Sequence, residues 1–309
     1  MNFIEVILPL TFVVLMGYVA VLTDVLSKDH MQILSRFVIR IALPAFLISA
    51  LSSKDLEQLW HPSYMIAYGV GSLIVFAFAY GLYRQYYCHS LTHSAVLAMG
   101  ASMSNTGFIG TAILTLLIGQ QAAIYISLSL ILENVLVLTL VLTLAEAGQQ
   151  QGALSQVLKQ TLFRVVKTPV IMSIIVGLLL MLLDWHLPVA LAQSLDMLGK
   201  TASSVALFVI GGSLVGVSLK ALDRQSMVLV LIKCGAMPAV VFLLLYYLPN
   251  VSREMIFAGT LIAALPMPIA FGIFGQHYGL NERALAPLML STFVGFSVVS
   301  WWIAYYWQV

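Results

Sequence analysis

Apolar residues are grouped along the chain into ten long runs separated by short polar segments. A helix that crosses a membrane needs about 20 consecutive, mainly apolar residues, because its backbone groups must be paired within the helix. Ten such runs fit the sequence, at about 3–22, 33–51, 64–83, 94–118, 122–144, 168–184, 199–217, 228–248, 254–276 and 284–306. The pattern predicts an all-α integral membrane protein with ten transmembrane helices, numbered here as spans 1 to 10.

The composition supports a membrane protein, and the distribution of charge predicts its orientation in the membrane. Only 8% of the residues are charged, whereas soluble domains carry about 25%. Eleven of the 14 Lys and Arg residues fall on the side of the loops that join spans 1–2, 3–4, 5–6, 7–8 and 9–10. The positive-inside rule assigns that side to the cytoplasm and both termini to the outside. The net charge of +2 gives no indication of a nucleic-acid partner, and membrane lipid is the expected surrounding.

The two halves of the chain have matching spacing. Pro9 in span 1 and Pro169 in span 6 are 160 residues apart, and the polar break at Asn105 lies 161 residues before Pro266. Because each half contains five spans, an odd number, the second half must have the opposite orientation. The sequence therefore predicts a 5+5 inverted repeat, with residues 1–147 and 168–309 as its two halves and 148–167 as a cytoplasmic linker.

Span 4 is interrupted by a polar, glycine-containing stretch. Breaks at membrane depth persist only where protein or a watery cavity satisfies the freed backbone groups. The half-helix after the break has its positive end at mid-membrane, which favours a carboxylate. The alternative is a small-residue helix packed closely against a neighbour. The predicted substrate-binding residues here are Ser102, Ser104, Asn105, Thr106 and Gly107.

Span 9 carries a second break at the corresponding position. Pro266 and Pro268 lack an N–H group and clash with the preceding turn, and Pro268 suits the first turn of a new half-helix. A single proline is more often a simple kink. Paired interruptions in the two halves, however, indicate the binding site of a secondary transporter, so Pro266, Met267 and Pro268 join the predicted substrate site.

Glu133 lies at the midpoint of span 5, with Asn134 beside it. A carboxylate at the bilayer centre is costly unless it is paired, protonated or hydrated. Glu133 and Asn134 are predicted to line the cavity or to couple transport to a proton or a sodium ion. The alternative is a structural hydrogen bond that holds helices together.

Arg40 and Lys233 are weaker candidates, because each lies near a span end. Either could bind an anionic substrate, but a long basic side chain can also extend to the interface. His89 and His93 have i,i+4 spacing in a short polar loop, which does not indicate a metal site, and no cofactor is predicted.

Several stretches resemble the auxin efflux carrier family, whose bacterial members include permeases for malonate, malate and other organic acids. The resemblance covers essentially the whole chain. It rests on the ten spans and on Ala42-Leu43-Pro44-Ala45, Asn105-Thr106-Gly107-Phe108-Ile109-Gly110, Asn134 and Pro266. Many members have proline directly after the glycine of span 4, where this chain has Gly110-Thr111-Ala112, so the break is softer here. The long cytoplasmic loop of plant members is missing, which argues against auxin as the substrate.

This resemblance implies the fold of bile-acid sodium symporters. Spans 1, 2, 6 and 7 would form a scaffold, and spans 3–5 and 8–10 a transport domain in which broken helices 4 and 9 cross. It also implies a homodimer and an elevator-like motion.

We therefore predict a secondary active transporter of a small organic anion, a mono- or dicarboxylate, and not an enzyme. The alternative on the same fold is a sodium-coupled symporter of bile-acid-like organic anions. A membrane enzyme would need a cluster of titratable residues or metal ligands within the spans, and only Glu133 lies deep. A channel or receptor is disfavoured by the paired breaks, and saturable counterflow would exclude it.

Overall fold

The computed structural model describes residues 3–52, 61–148, 163, 166–213, 215–216, 222–280 and 282–308, and all regular secondary structure in these ranges is helical. The α-helices are α1 (Phe3–Leu22), α2 (Lys28–Phe37), α3 (Leu43–Leu51), α4 (Pro62–Gly81), α5 (Leu91–Ser102), α6 (Thr111–Ile118), α7 (Ala122–Leu132), α8 (Thr139–Gly148), α9 (Pro169–Leu182), α10 (Val189–Ser213), α11 (Arg224–Leu231), α12 (Met237–Tyr247), α13 (Arg253–Ala264), α14 (Ile269–His277) and α15 (Glu282–Gln308). Segments of π-helix lie at Val38–Ala42, Leu82–Tyr86, Thr106–Gly110, Glu133–Leu138 and Ile232–Ala236.

Seven helical segments within the described residues are long and apolar enough to cross a membrane. They are Lys28–Leu51, Pro62–Tyr86, Leu91–Ala145, Val189–Ser213, Arg224–Tyr247, Arg253–Gly275 and Glu282–Tyr306. Phe12–Leu22 and Pro169–Leu182 are shorter apolar helices. In its described residues the protein is therefore an all-helical membrane protein, and the predicted number of ten spans stays a prediction.

One predicted span differs clearly from the observed helix. Span 7 is predicted to begin at about residue 199, but α10 begins at Val189, directly after Pro188. The helix extends through this more polar segment, in which Lys200 and Asp196 form an i,i+4 ion pair. Most of the predicted linker 148–167 lies outside the described residues.

The chain divides into two compact units. Unit 1 comprises Met1–His61, Thr106–Leu128 and Lys167–Val217. Within it, α10 packs against α1, α2 and α3, and α9 packs against α3. A Cβ atom added at Gly17 would overlap the carbonyl of Phe208, and one added at Gly211 would overlap the carbonyl of Val14. These glycines allow the backbones of α1 and α10 to touch, as small residues do in membrane helix pairs.

Unit 2 comprises Pro62–Asn105, Ser129–Val166 and Ser218–Val309. Within it, α4 packs against α5 and α12, and α13 packs against α12 and α15. All residues of α5 from Ser94 to Ser102 are buried, as are those of α13 from Phe257 to Ala264. The interior of unit 2 therefore contains both helices that lead into the predicted breaks.

Side-chain caps fix where three helices of unit 2 begin. Ser90 Oγ accepts the N–H of His93 at 3.1 Å, Ser252 Oγ accepts that of Met255 at 3.1 Å, and Asp223 Oδ1 accepts that of Ser226 at 2.7 Å. Partial burial of Asp223 opposes its ionisation. The hydrogen bonds from Ser226 and the charge of Arg283 outweigh that effect and lower the pKa of the Asp223 carboxyl.

Candidate functional site

The first helix break lies directly after α5. Met103 N donates the last hydrogen bond of the helix, to Met99 O at 3.0 Å. The Met103 backbone is extended, with φ −102° and ψ 152°. The next two N–H groups leave the helix. Ser104 N donates to Glu133 Oε1 at 3.0 Å, and Asn105 N donates to Pro266 O at 3.0 Å. The interruption lies where the sequence predicts it, and groups far away in the sequence satisfy its donors.

The second break follows α13 in the same way. Leu265 is extended, with φ −57° and ψ 152°, and α14 begins at Ile269. Pro266 and Pro268 have no N–H group to satisfy. The remaining donor, Met267 N, bonds Ser291 Oγ at 3.2 Å. Because Pro266 O accepts the N–H of Asn105, the two breaks are in direct backbone contact.

Two oppositely charged side chains are buried beside the first break. Glu133 is 1% exposed and accepts the Tyr68 hydroxyl at 2.7 Å as well as Ser104 N. Lys233 is 0% exposed and donates from Nζ to Ser104 Oγ at 2.6 Å and to Ala263 O at 3.0 Å. We call Tyr68, Ser104, Glu133 and Lys233 the Ser104 cluster.

The Ser104 cluster balances its own charge. Burying an isolated carboxylate or ammonium is expensive unless it is paired and hydrogen-bonded. Ser104 meets that requirement for both groups, because its N–H binds Glu133 and its hydroxyl binds Lys233. The cluster therefore joins an acid, a base and two hydroxyl groups to the backbone of a broken helix, which is an arrangement suited to binding an anion or moving a proton.

Local helix geometry brings both charged residues to this position. Glu133 opens the π-helical segment Glu133–Leu138, and Lys233 lies in the segment Ile232–Ala236. A π-helical turn contains an extra residue, which changes the direction of the side chains around it and is frequent at functional sites.

The remaining predicted site residues are divided between unit 1 and unit 2. Ser102 Oγ bonds Ala98 O within its own helix at 2.8 Å, and Asn134 Nδ2 bonds Leu130 O at 2.8 Å. Thr106 and Gly107 belong to unit 1, where the Thr111 hydroxyl bonds the carbonyl of Gly107 at 3.2 Å. The side chain of Arg40 is exposed in unit 1. Pro266, Met267 and Pro268 are buried in unit 2.

Two residues of the break region were missed by the sequence reasoning. Tyr68 binds Glu133, and Ser291 binds the backbone of the second break. The available signal for the first was the row of polar residues Tyr64, Tyr68 and Ser72, which have i,i+4 spacing on one face of α4. Ser291 is one serine inside an apolar run, a common pattern that carries no such signal.

A separate cavity of about 620 Å³ lies in unit 1. Its lining includes the carboxylates of Asp184 and Asp196 and the ammonium of Lys200, which already pairs with Asp196. It therefore has no surplus positive charge for an organic anion, and the Ser104 cluster remains the better candidate site.

Comparison with known proteins identifies the family. The family model described as "Membrane transport protein" matches residues 2–303. The "Putative malonate transporter" of Rhizobium meliloti (strain 1021) is 24% identical over 298 residues, which cover 95% of this chain and 92% of that protein. The "Uncharacterized transporter YfdV" of Escherichia coli (strain K12) is 22% identical over 302 residues, which cover 96% and 95%. The resemblance seen in the sequence is thus confirmed, and the chain belongs to the membrane transport protein family of the auxin efflux carriers.

Proposed function

We propose that this protein is a secondary active transporter of a small organic anion, a mono- or dicarboxylate, that works by alternating access. The observation that carries the proposal is the contact between two interrupted helices, Asn105 N to Pro266 O at 3.0 Å, beside the buried charges of the Ser104 cluster. Interrupted helices that meet at membrane depth provide backbone donors and acceptors for a substrate, as in other secondary transporters.

Glu133 supports a carboxylate as the substrate group. Its own carboxylate is already bound by a backbone N–H of the first break and by a tyrosine hydroxyl, at 3.0 and 2.7 Å. Donors of this kind suit a carboxylate oxygen, and Lys233 supplies a positive charge next to them. The name of the Rhizobium relative suggests malonate as the first compound to test.

The arrangement of the two breaks supports the predicted inverted repeat. The caps Ser90 and Ser252 are 162 residues apart, and each begins a 12-residue helix that ends in one extended residue. Because Leu91–Ala145 has 55 residues, it is long enough for two crossings. If Leu91–Ala145 is counted as two spans and the two shorter apolar helices are added, the described segments number ten, which supports the predicted span count.

The division into units gives partial support to an elevator motion. Unit 1 contains the predicted scaffold spans 1, 2, 6 and 7, but it also contains Thr106–Leu128, which the prediction assigned to the transport domain. We propose a homodimer in a bacterial inner membrane with both termini outside, in accordance with the family resemblance and the charge distribution.

The test is counterflow of radiolabelled malonate in proteoliposomes that contain the purified protein. We expect labelled malonate to enter vesicles preloaded with unlabelled malonate or a related carboxylate, and the rate to saturate. Uptake of a bile acid that requires sodium would instead favour the alternative symporter. Absence of saturable counterflow with mono-, di- and bile-acid carboxylates would contradict the proposal.

A further inference from the structure

Helix α15 contacts the second break through two residues on one of its faces. Ser291 Oγ accepts the N–H of Met267 at 3.2 Å and donates to Leu288 O at 2.7 Å. Gly295 lies one turn further along α15, and a Cβ atom added there would be 3.0 Å from the N and Cδ atoms of Pro266. Residues with i,i+4 spacing lie on the same face of a helix. We call Ser291 and Gly295 the α15 pair.

The backbone of Ser291 also faces the segment that carries Lys233. Its carbonyl oxygen accepts the thiol of Cys234, with Sγ and O 3.8 Å apart, and Cys234 follows Lys233 in the chain. Lys233 itself donates to Ala263 O, in the last turn of α13 before the break. One buried residue of α15 therefore contacts both the second break and the π-helical segment of Lys233.

The two halves of the chain differ at one matched pair of positions beside the breaks. Ser104 and Pro266 are 162 residues apart, and so are Glu133 and Gly295, which is also the spacing of the two serine caps. Glu133 holds the first break through the N–H of Ser104 at 3.0 Å. At the second break the corresponding proline has no N–H to bind, and the corresponding glycine leaves room for the proline ring. Close packing thus takes the place that the carboxylate has at the first break.

We propose that the α15 pair, Ser291 and Gly295, consists of positioning residues that determine how tightly the candidate site binds its substrate. The pair acts by fixing the second break against α15, and neither residue belongs to the Ser104 cluster. The inference rests on the proposed function and adds two residues to the site that it uses.

The short segment of the second break explains why its position matters. Within Pro266-Met267-Pro268 only Met267 has an N–H group, because proline has none, and Ser291 accepts that group. The carbonyl of Pro266 belongs to the same segment and accepts the N–H of Asn105 at 3.0 Å. A displacement of the segment therefore changes the contact between the two breaks. A misplacement of about 1 Å in a functional site can cost up to about 100-fold in activity.

The first experiment compares Ser291→Thr with Ser291→Val by malonate counterflow in proteoliposomes. The two new side chains have nearly the same shape, but that of Ser291→Val cannot accept the N–H of Met267. We expect the half-saturation concentration for malonate to be about tenfold higher for Ser291→Val than for Ser291→Thr. A loss of folded protein alone would lower the maximal rate and leave the half-saturation concentration unchanged.

Ser297→Ala is the control on the same helix. Ser297 is exposed, and its hydroxyl bonds Phe293 O within α15 at 3.1 Å. Because this serine has no contact with the break, the half-saturation concentration of Ser297→Ala should equal that of the parent protein.

Gly295→Ala tests the other contact of the α15 pair. The new Cβ atom would be 3.0 Å from Pro266, so the break must shift by a few tenths of an ångström. We expect the half-saturation concentration for malonate to rise about threefold or more. Gly81→Ala is the matched control, because a Cβ atom at Gly81 meets no atom within 4 Å, and it should bind malonate as the parent does.

Hydrogen exchange of the Met267 amide gives a readout that does not depend on transport. In Ser291→Val this N–H loses its acceptor, so it should exchange at least about tenfold faster than in Ser291→Thr. Exchange in a peptide that spans the break is simple to assign, because Pro266 and Pro268 carry no amide hydrogen.

Equal half-saturation concentrations for Ser291→Val and Ser291→Thr would overturn the proposal, and so would equal exchange rates at Met267. Faster exchange with an unchanged half-saturation concentration would also overturn it, because Ser291 would then hold the break without affecting substrate binding. If Ser291→Val does not elute as a folded protein, Ser291→Ala replaces it and is compared with Ser297→Ala. A parent protein that transports no carboxylate would contradict the proposed function instead, and exchange at Met267 would still decide whether Ser291 holds the break.

Discussion

Replacing Lys233 with Met removes a buried charge and keeps most of the side-chain length. Lys233 is 0% exposed, and its ammonium donates to Ser104 Oγ and Ala263 O. Met has no donor for either acceptor. We therefore expect Lys233→Met to destabilise the protein strongly, although Met is an ordinary residue in an apolar helical segment.

The magnitude follows from two losses. The Ala263 carbonyl is left without its ammonium donor, which costs about 1–3 kcal/mol for a buried group. Glu133, 1% exposed, becomes a buried carboxylate without a counter-charge, and breaking a buried ion pair costs about 3–5 kcal/mol. Because the two losses overlap, we expect a total of about 3–6 kcal/mol and a fall in the apparent Tm on the order of 5–10 °C.

The assay is thermal unfolding in detergent, followed by intrinsic fluorescence. Lys200→Met is the matched control, because the Lys200 side chain is 74% exposed and pairs with Asp196 at the surface. Its loss should cost no more than about 1 kcal/mol. Adding Glu133→Gln to Lys233→Met should recover roughly 0.5–3 kcal/mol of the loss. The charge balance would be refuted if Lys233→Met were as stable as Lys200→Met. It would also be refuted if the double variant lost as much unfolding free energy as the two single variants together.

Three further predictions address other parts of the molecule. Asn105→Ala keeps the backbone N–H that holds the break, so Tm should change little while malonate counterflow falls at least about tenfold; a misfolded variant would instead indicate that the side chain packs the core. Gly17→Ala places a Cβ against the carbonyl of Phe208 and should cost about 1–3 kcal/mol, whereas Gly81→Ala, which meets no atom within 4 Å, should not. Asp223→Ala should lose about 0.5–2 kcal/mol at neutral pH. Because the folded pKa of Asp223 is lowered, the cap stabilises fully above the unfolded value of about 3.9, so the difference should vanish as the pH falls through the folded pKa.

The sequence predicted the features whose cause is local. Proline lacks an N–H group wherever it stands, so Pro266 and Pro268 predict an interruption without knowledge of the fold. The polar run around Asn105 and the acidic residue at position 133 can also be recognised from the sequence, because each is unusual in an apolar span. These are also the positions at which the structure has breaks and a buried carboxylate.

The partners of these residues depend on tertiary contacts, which the sequence pattern does not contain. Tyr68 and Glu133 are 65 positions apart, and Lys233 and Ser104 are 129 apart. From its place near a span end, Lys233 suits the interface as well as the interior, and only packing decides between them. The boundary between units at Thr106 also has no signal of its own, since it falls inside the polar stretch that marks the break.

The bond between Asn105 N and Pro266 O involves only main-chain atoms. Its strength does not depend on which side chain occupies either position, so residues at position 105 can vary without loosening the link. Proline at 105 is the exception, because it would remove the donor. The link between the two breaks is therefore a property of the main chain, and a change of side chain at position 105 alters the groups at the break without cutting the connection.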